Sequence, residues 1–246
     1  MLKSKIIDIA IITLLYIGIC TFPTNLLTSS EIFYYLIEAL LMVAMLLFII
    51  LYVRAHRYLK PDKQPTDFKV LLLFIPVVVV AISNFLYAWI LKEPIHALFN
   101  WANPLQVLFI ALLVTVEELI FRHLLLGNIE RGKPIVRIII AAGIFALCHL
   151  THFFSTFNPA DLVVVAYSFG LGIVLGLIYF YSHNLIACIG LHFLFNFCND
   201  FLFVRLYTVS NLLWYYLING IVALVVGLYV LGLYLLKLRK NPAELG

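Results

Sequence analysis

The stretch Val114-Thr-Val-Glu-Glu-Leu-Ile-Phe-Arg-His-Leu-Leu-Leu-Gly127 puts Glu117, Glu118 and Arg122 inside a run that otherwise reads as a membrane-spanning helix. Ionisable groups at membrane depth are costly. They face a protein interior or a water-filled cavity, and there they tend to be functional. Three of them so close together exceed what helix packing needs. The remaining sequence is read by asking which side chains can meet them.

Composition sets the environment. Of 246 residues, 65% are hydrophobic and 11% charged, against about a quarter charged in a soluble domain. The apolar runs are helix-length, not the short alternating segments of an outer-membrane barrel. The expected fold is therefore all-α: a polytopic membrane helix bundle, one transmembrane domain over 1–246, with a motif-bearing core at 104–200. Met1-Leu-Lys-Ser-Lys5 precedes an apolar run without a small-residue cleavage site, which reads as an uncleaved first helix. Cys20, Cys148, Cys188 and Cys198 lie in or beside apolar runs without CxxC spacing. They read as small buried hydrophobes, not as a disulfide set or zinc site. The net charge of +4 carries no nucleic-acid signal. The partners expected are membrane lipid and a peptide or small membrane-protein substrate.

Eight apolar runs are legible, at about 5–22, 33–53, 70–91, 104–127, 134–153, 161–181, 185–204 and 212–236. Asn103-Pro104 reads as an N-cap followed by proline at the first helical position, and Lys133-Pro134 opens the next helix the same way. Ser182-His-Asn184 is a short connection that makes its flanking helices antiparallel neighbours. Pro76 predicts a kink in the third run. Ser168, Gly172 and Gly176 form a small-xxx-small series that predicts close helix packing. With the N-terminus inside, thirteen Lys and Arg fall on the inner side and only Lys92 and Arg205 on the outer. That positive-inside bias supports an even number of spans, about eight, with both termini cytoplasmic in a cell membrane. Short loops point to a bacterial plasma membrane.

At 100° per residue, Arg122 lies about 40° around from Glu118 and one turn along, and about 140° from Glu117. Glu118 can therefore pair with Arg122, while Glu117 faces elsewhere. A paired buried carboxylate is neutralised and held still; an unpaired one can exchange a proton. Glu117 is thus the better base and Glu118 the better orienting group. Two other runs carry polar clusters, Phe145-Ala-Leu-Cys-His149 with His152 beyond it, and His192-Phe-Leu-Phe-Asn196. At about 1.5 Å per residue, Glu117, His192 and Asn196 lie roughly 15, 12 and 18 Å in from their inner helix ends, and His149 roughly 22 Å. All four fit one cavity near mid-membrane. His123, His152 and His183 read as interior hydrogen-bonders. No HExxH or GxSxG stands in a span, and Asp161 and Asp200 fall near the outer end, which removes the zincin, serine and aspartyl arrangements.

Glu117-Glu118-x-x-x-Arg122, then Phe145-x-x-x-His149, then His192-x-x-x-Asn196, in that order, resemble the three motifs of the CPBP family of CAAX proteases and bacteriocin-processing membrane enzymes, also called Abi proteins. The resemblance covers about 105–200; the first three runs and the eighth carry no motif. His123 stands where many relatives have glycine. The resemblance implies an intramembrane endopeptidase acting on a prenylated, CAAX-like or bacteriocin-like peptide. In it Glu117, helped by His149, activates water. His192 and Asn196 stabilise the oxyanion. Glu118 and Arg122 hold the constellation. Glu117, His149 and His192 also form a chemically sensible zinc set. The spacing does not decide between metal-bound and metal-free water; Asn196, a better oxyanion donor than zinc ligand, favours no cofactor. Two other classes compete. One is a non-catalytic bacteriocin-immunity or membrane binding protein. The other is a proton-relay transporter, disfavoured because no inverted repeat is visible.

Overall fold

The computed structural model describes residues 2–56, 74–129, 133–151, 160–207 and 212–240. His152 and the basic loop residues Arg57, Lys60, Lys63, Lys69 and Arg131 lie outside these. Eight principal helices follow in order: α1 (Leu2–Cys20), α2 (Glu31–His56), α3 (Phe74–Ile90), α4 (Asn103–Glu118), α5 (Pro134–Cys148), α6 (Ala160–Ser182), α7 (Leu185–Asn196) and α8 (Leu212–Lys240). Each coincides with one of the eight apolar runs. Five segments among the described residues are long and apolar enough to cross a membrane: Ile6–Leu26, Glu31–Ala55, Asn103–Leu126, Leu162–Ser182 and Leu185–Leu206. Large apolar side chains such as Leu51, Ile75, Ile82 and Ile186 stand exposed on the bundle surface. A water-facing surface would not carry such a coat, whereas lipid accepts it. The chain is an all-helical, multi-pass membrane protein. Among the described residues the sole β-pairing is an isolated bridge between Ile95 and Tyr207.

Helix ends follow local chemistry with one correction. Lys133 is extended and Pro134 opens α5, as expected. Between α6 and α7, His183 turns the chain in a left-handed conformation (φ 48°) and Asn184 Oδ1 accepts from the Ala187 N–H at 3.0 Å, capping α7. At α4, however, the N-cap position belongs to Ala102, not Asn103. No side chain caps the helix; Asn100 shapes the turn before it, its Oδ1 accepting from the Ala102 N–H at 2.9 Å. Asn103 is thereby taken into the first helical turn. Pro76 lies in the first described turn of α3.

Two of the three motif-bearing helices continue without interruption into π-helix, α4 through Leu119–Leu126 and α7 through Phe197–Phe203. A periodicity of 3.6 cannot anticipate this, because a π turn is set by what its side chains meet in neighbouring helices. Long π segments are rare and cluster at functional sites. Here the first begins inside a motif, between Glu118 and Arg122, and the second directly after Asn196.

Glycine governs the closest approaches. A Cβ on Gly172 would lie 3.1 Å from Ala142 Cα, and one on Gly227 would lie 2.6 Å from Gly170 Cα. The first lets α6 lie against α5, and the second lets α6 and α8 touch backbone to backbone. Of the apolar clusters among the described residues, two are large. One surrounds α6, with Ile138, Ala142, Val174, Ile178 and Phe195. The other joins α1, α2 and α4, with Ile12, Met42, Ile49, Phe121 and Phe145. The polar motif residues lie where these clusters meet.

Candidate active site

Glu117 and Glu118 end the α-helical part of α4, and both are buried. Their neighbours differ. Glu118 Oε2 lies 3.0 Å from Arg122 Nε, one turn along. Its other oxygen, Oε1, is 2.8 Å from His192 Nδ1 on α7. A carboxylate only accepts, so His192 Nδ1 carries a hydrogen and donates it. Glu118 therefore bridges two helices. Arg122 is wholly buried, with its Cζ 4.7 Å from the centre of the Phe145 ring, a cation–π contact.

Glu117 is not the isolated carboxylate expected from its helical angle. Its Oε1 accepts from the Tyr16 hydroxyl of α1 at 2.5 Å, and its Oε2 lies 3.7 Å from His192 Nε2. The angular argument separated Glu117 from Arg122 correctly. It had no access to a partner a hundred residues earlier in the chain. Both carboxylates thus meet one imidazole, each at a different nitrogen. When His192 is neutral, Nε2 carries a lone pair toward Glu117, so a proton or a water reconciles the two acceptors. Doubly protonated, the ring donates to both sides. Two carboxylates then balance two cations, Arg122 and His192, as buried charge requires.

His149 closes α5. Its Nδ1 lies 3.0 Å from the Phe145 carbonyl oxygen, which only accepts. The hydrogen therefore sits on Nδ1, and Nε2 is the basic nitrogen of the neutral ring. Phe145 is the hub of this wall: its ring packs edge-on to His149 at 4.8 Å and to His192 at 5.6 Å. Asn196 stands one turn beyond His192 and is half-buried.

These side chains share a cavity of about 580 Å³, bordered by Glu117, His149, His192 and Asn196 together with Tyr16, Glu38, Tyr167, Ser168 and Asp200. The volume suits a peptide segment. Of the six candidate residues, four border the cavity. Glu118 and Arg122 lie behind it and hold His192. Ser168, expected only in helix packing, also borders it. His123 is apart from the cavity, its Nδ1 3.2 Å from the Tyr179 hydroxyl. Among the described residues, no three His, Cys, Asp or Glu side chains are grouped to hold a metal ion. His192 Nδ1 is already committed to Glu118. All four cysteines are free.

The cavity mouth is tied by a second polar group. Arg205, just after the second π segment, pairs with Glu31 at the start of α2, and its Nη2 donates to Gln106 Oε1 at 2.8 Å. Asn100 Nδ2 donates to Glu31 Oε2 at 2.7 Å. The 95–98 loop runs alongside, with Leu98 N–H donating to the Arg205 carbonyl at 2.8 Å.

Sequence reading missed two cavity residues. Tyr16 carries no sequence signal, being one aromatic among many in an apolar run. Glu38 did carry one: a carboxylate well inside the second run.

Among curated proteins, none matches the chain. Residues 99–198 match the family model described as Rce1-like, type II CAAX prenyl endopeptidase. That segment spans α4, both motif helices that follow and the start of the second π-helix, the elements that carry all six candidate residues. That segment is thus similar to the type II CAAX prenyl endopeptidases.

Proposed function

We propose that the protein is a glutamate-dependent intramembrane endopeptidase that cleaves a membrane-associated peptide, prenylated and CAAX-like or bacteriocin-like. The observation that carries this reading is Glu117, a buried carboxylate at a peptide-sized cavity, oriented by Tyr16 and facing His192 Nε2 at 3.7 Å.

In the proposed reaction, Glu117 takes a proton from a water held between it and the basic Nε2 of His149. The resulting hydroxide attacks the scissile carbonyl carbon. The oxyanion of the tetrahedral intermediate accepts hydrogen bonds from the Asn196 amide and from His192 Nε2–H in its doubly protonated form. Glu117 then delivers its proton to the departing amine, and the C–N bond breaks. Glu118 and Arg122 keep the His192 ring in place. Metal-free water is favoured by the donor set, in which Asn196 is a poor zinc ligand.

We further propose eight membrane crossings with both termini cytoplasmic in a bacterial plasma membrane, on the strength of the thirteen-to-two basic split. In that topology the Glu31–Arg205 end of the cavity faces outward.

The test uses purified full-length protein in detergent or proteoliposomes with prenylated and unmodified peptides, and mass spectrometry of the products. The expected outcome is cleavage by the native chain. Glu117→Gln should lose roughly a hundred- to ten-thousandfold in rate while still folding and inserting. Full cleavage by Glu117→Gln removes the general-base assignment. Stoichiometric zinc with chelator-sensitive turnover overturns the metal-free assignment. Absence of any cleavage, with binding retained, transfers the protein to a sequestering role.

A further inference from the structure

The carboxylates of this protein divide by whether a cation stands beside them. Glu118 has Arg122, and Glu31 has Arg205. Glu38 on α2 has no such partner among the described residues, and Asp200 on the second π segment has only the His192 ring; both border the cavity. Glu38 is only 6% exposed. The one donor near it among the described residues is the neutral Thr24 hydroxyl. A buried carboxylate without a cation is costly, and this one borders the open cavity. No lysine or arginine borders the cavity among its described lining residues.

Position adds to composition. Glu31 marks the mouth, and Glu38 stands about 10 Å further along α2 by helical rise. On the facing helix, Asp200, Asn196 and His192 descend one turn at a time toward Glu117. Glu38 and Asp200 therefore flank the way in, above the reacting groups. Tyr34, Tyr35 and Tyr167 add aromatic walls to the same space, and aromatic faces attract cations.

We propose that the cavity receives a positively charged group of the substrate, a lysine or arginine side chain of a basic peptide, with Glu38 as its counter-ion and Asp200 on its approach. This rests on the endopeptidase reading and narrows its substrate class. Entry of the cation supplies the charge that Glu38 lacks and places the neighbouring peptide bond near Glu117. Glu38 is thus a specificity-determining residue that acts through binding.

The test compares fluorescent peptides that differ at one position, carrying lysine, arginine, norleucine or glutamate, with that position moved along the chain. Binding is read by fluorescence anisotropy and cleavage by mass spectrometry, both on the full-length protein. For one register, the lysine and arginine peptides should bind about tenfold more tightly than norleucine, the worth of a charged hydrogen bond. Glu38→Gln should bring that ratio to about one, Glu38→Asp should keep most of it, and Asp200→Asn should lower it less. A native ratio near one in every register overturns the proposal without any variant. So does an unchanged ratio in folded Glu38→Gln. Charge-selective, Glu38-dependent binding without hydrolysis leaves the cation site standing and removes the endopeptidase reading. Hydrolysis with no charge preference does the reverse.

Discussion

Among the described residues the protein holds two ionic clusters, one at the floor of the cavity and one at its mouth, and they are built on opposite terms. At the floor, Glu117, Glu118, Arg122 and His192 are each no more than 3% exposed. At the mouth, the Glu31 side chain is 41% exposed against 17% for Arg205. Water screens the mouth pair and would solvate either partner left alone, so its loss changes little. The floor cluster has no such refuge. Once the bundle closes around it, removing one member strands a charge in a low-dielectric interior. The floor is therefore rigid by necessity, and a site that must hold a water and a carbonyl within tenths of an ångström needs that rigidity. The mouth is a clasp between α2, α4 and the end of α7, free to loosen at small cost.

Four substitutions break or sharpen this contrast. The largest effect is expected from Arg122→Met, which leaves Glu118 buried beside only a titratable ring. Thermal unfolding in detergent should show a loss of about 3–5 kcal/mol. A melting temperature equal to the native one would mean that the floor cluster is not the stabilising unit described. Next comes Asn196→Ala, which keeps every floor contact and removes one oxyanion donor. Turnover should fall roughly a hundred- to a thousandfold with KM and stability little changed; an effect on KM alone would make Asn196 a substrate contact instead.

Tyr16→Phe removes the hydroxyl that donates to Glu117 and meets the Cys20 thiol. A loss of about 1.5–3 kcal/mol, the worth of a hydrogen bond to a charged group, is expected, divided between stability and turnover. Recovery of native behaviour would show that α1 merely packs against the site. The smallest change is expected from Glu31→Gln at the mouth, below about 1 kcal/mol in stability and further reduced by salt. A penalty matching that of Arg122→Met would abolish the distinction between the two clusters.

Glu117 and Glu118 show how far adjacency in sequence extends. Their helical angles are separate enough that Glu118 alone reaches Arg122, and that much follows from position. Which partners lie across the gap does not. Tyr16 arrives from the first helix, and His192 reaches both carboxylates because α7 runs past α4 where both switch to π-helix. The same limit applies to Asn103, read as a cap: the turn that Asn100 makes before α4 starts the helix at Ala102 and takes Asn103 into its first turn.

The order of the eight helices, their apolar coats and the three motifs were legible in the sequence because they depend on local quantities: hydropathy over a helix length, proline and asparagine at helix starts, and spacing along one helix. The pairing of Glu117 with Tyr16, the sharing of His192 between two glutamates, and the exposure of Glu38 to the cavity were decided by the tertiary structure alone. They depend on which helix faces which and at what height. A periodic apolar pattern leaves that undetermined, because in lipid every apolar face is equally content until glycine contacts and buried polar groups choose its neighbour.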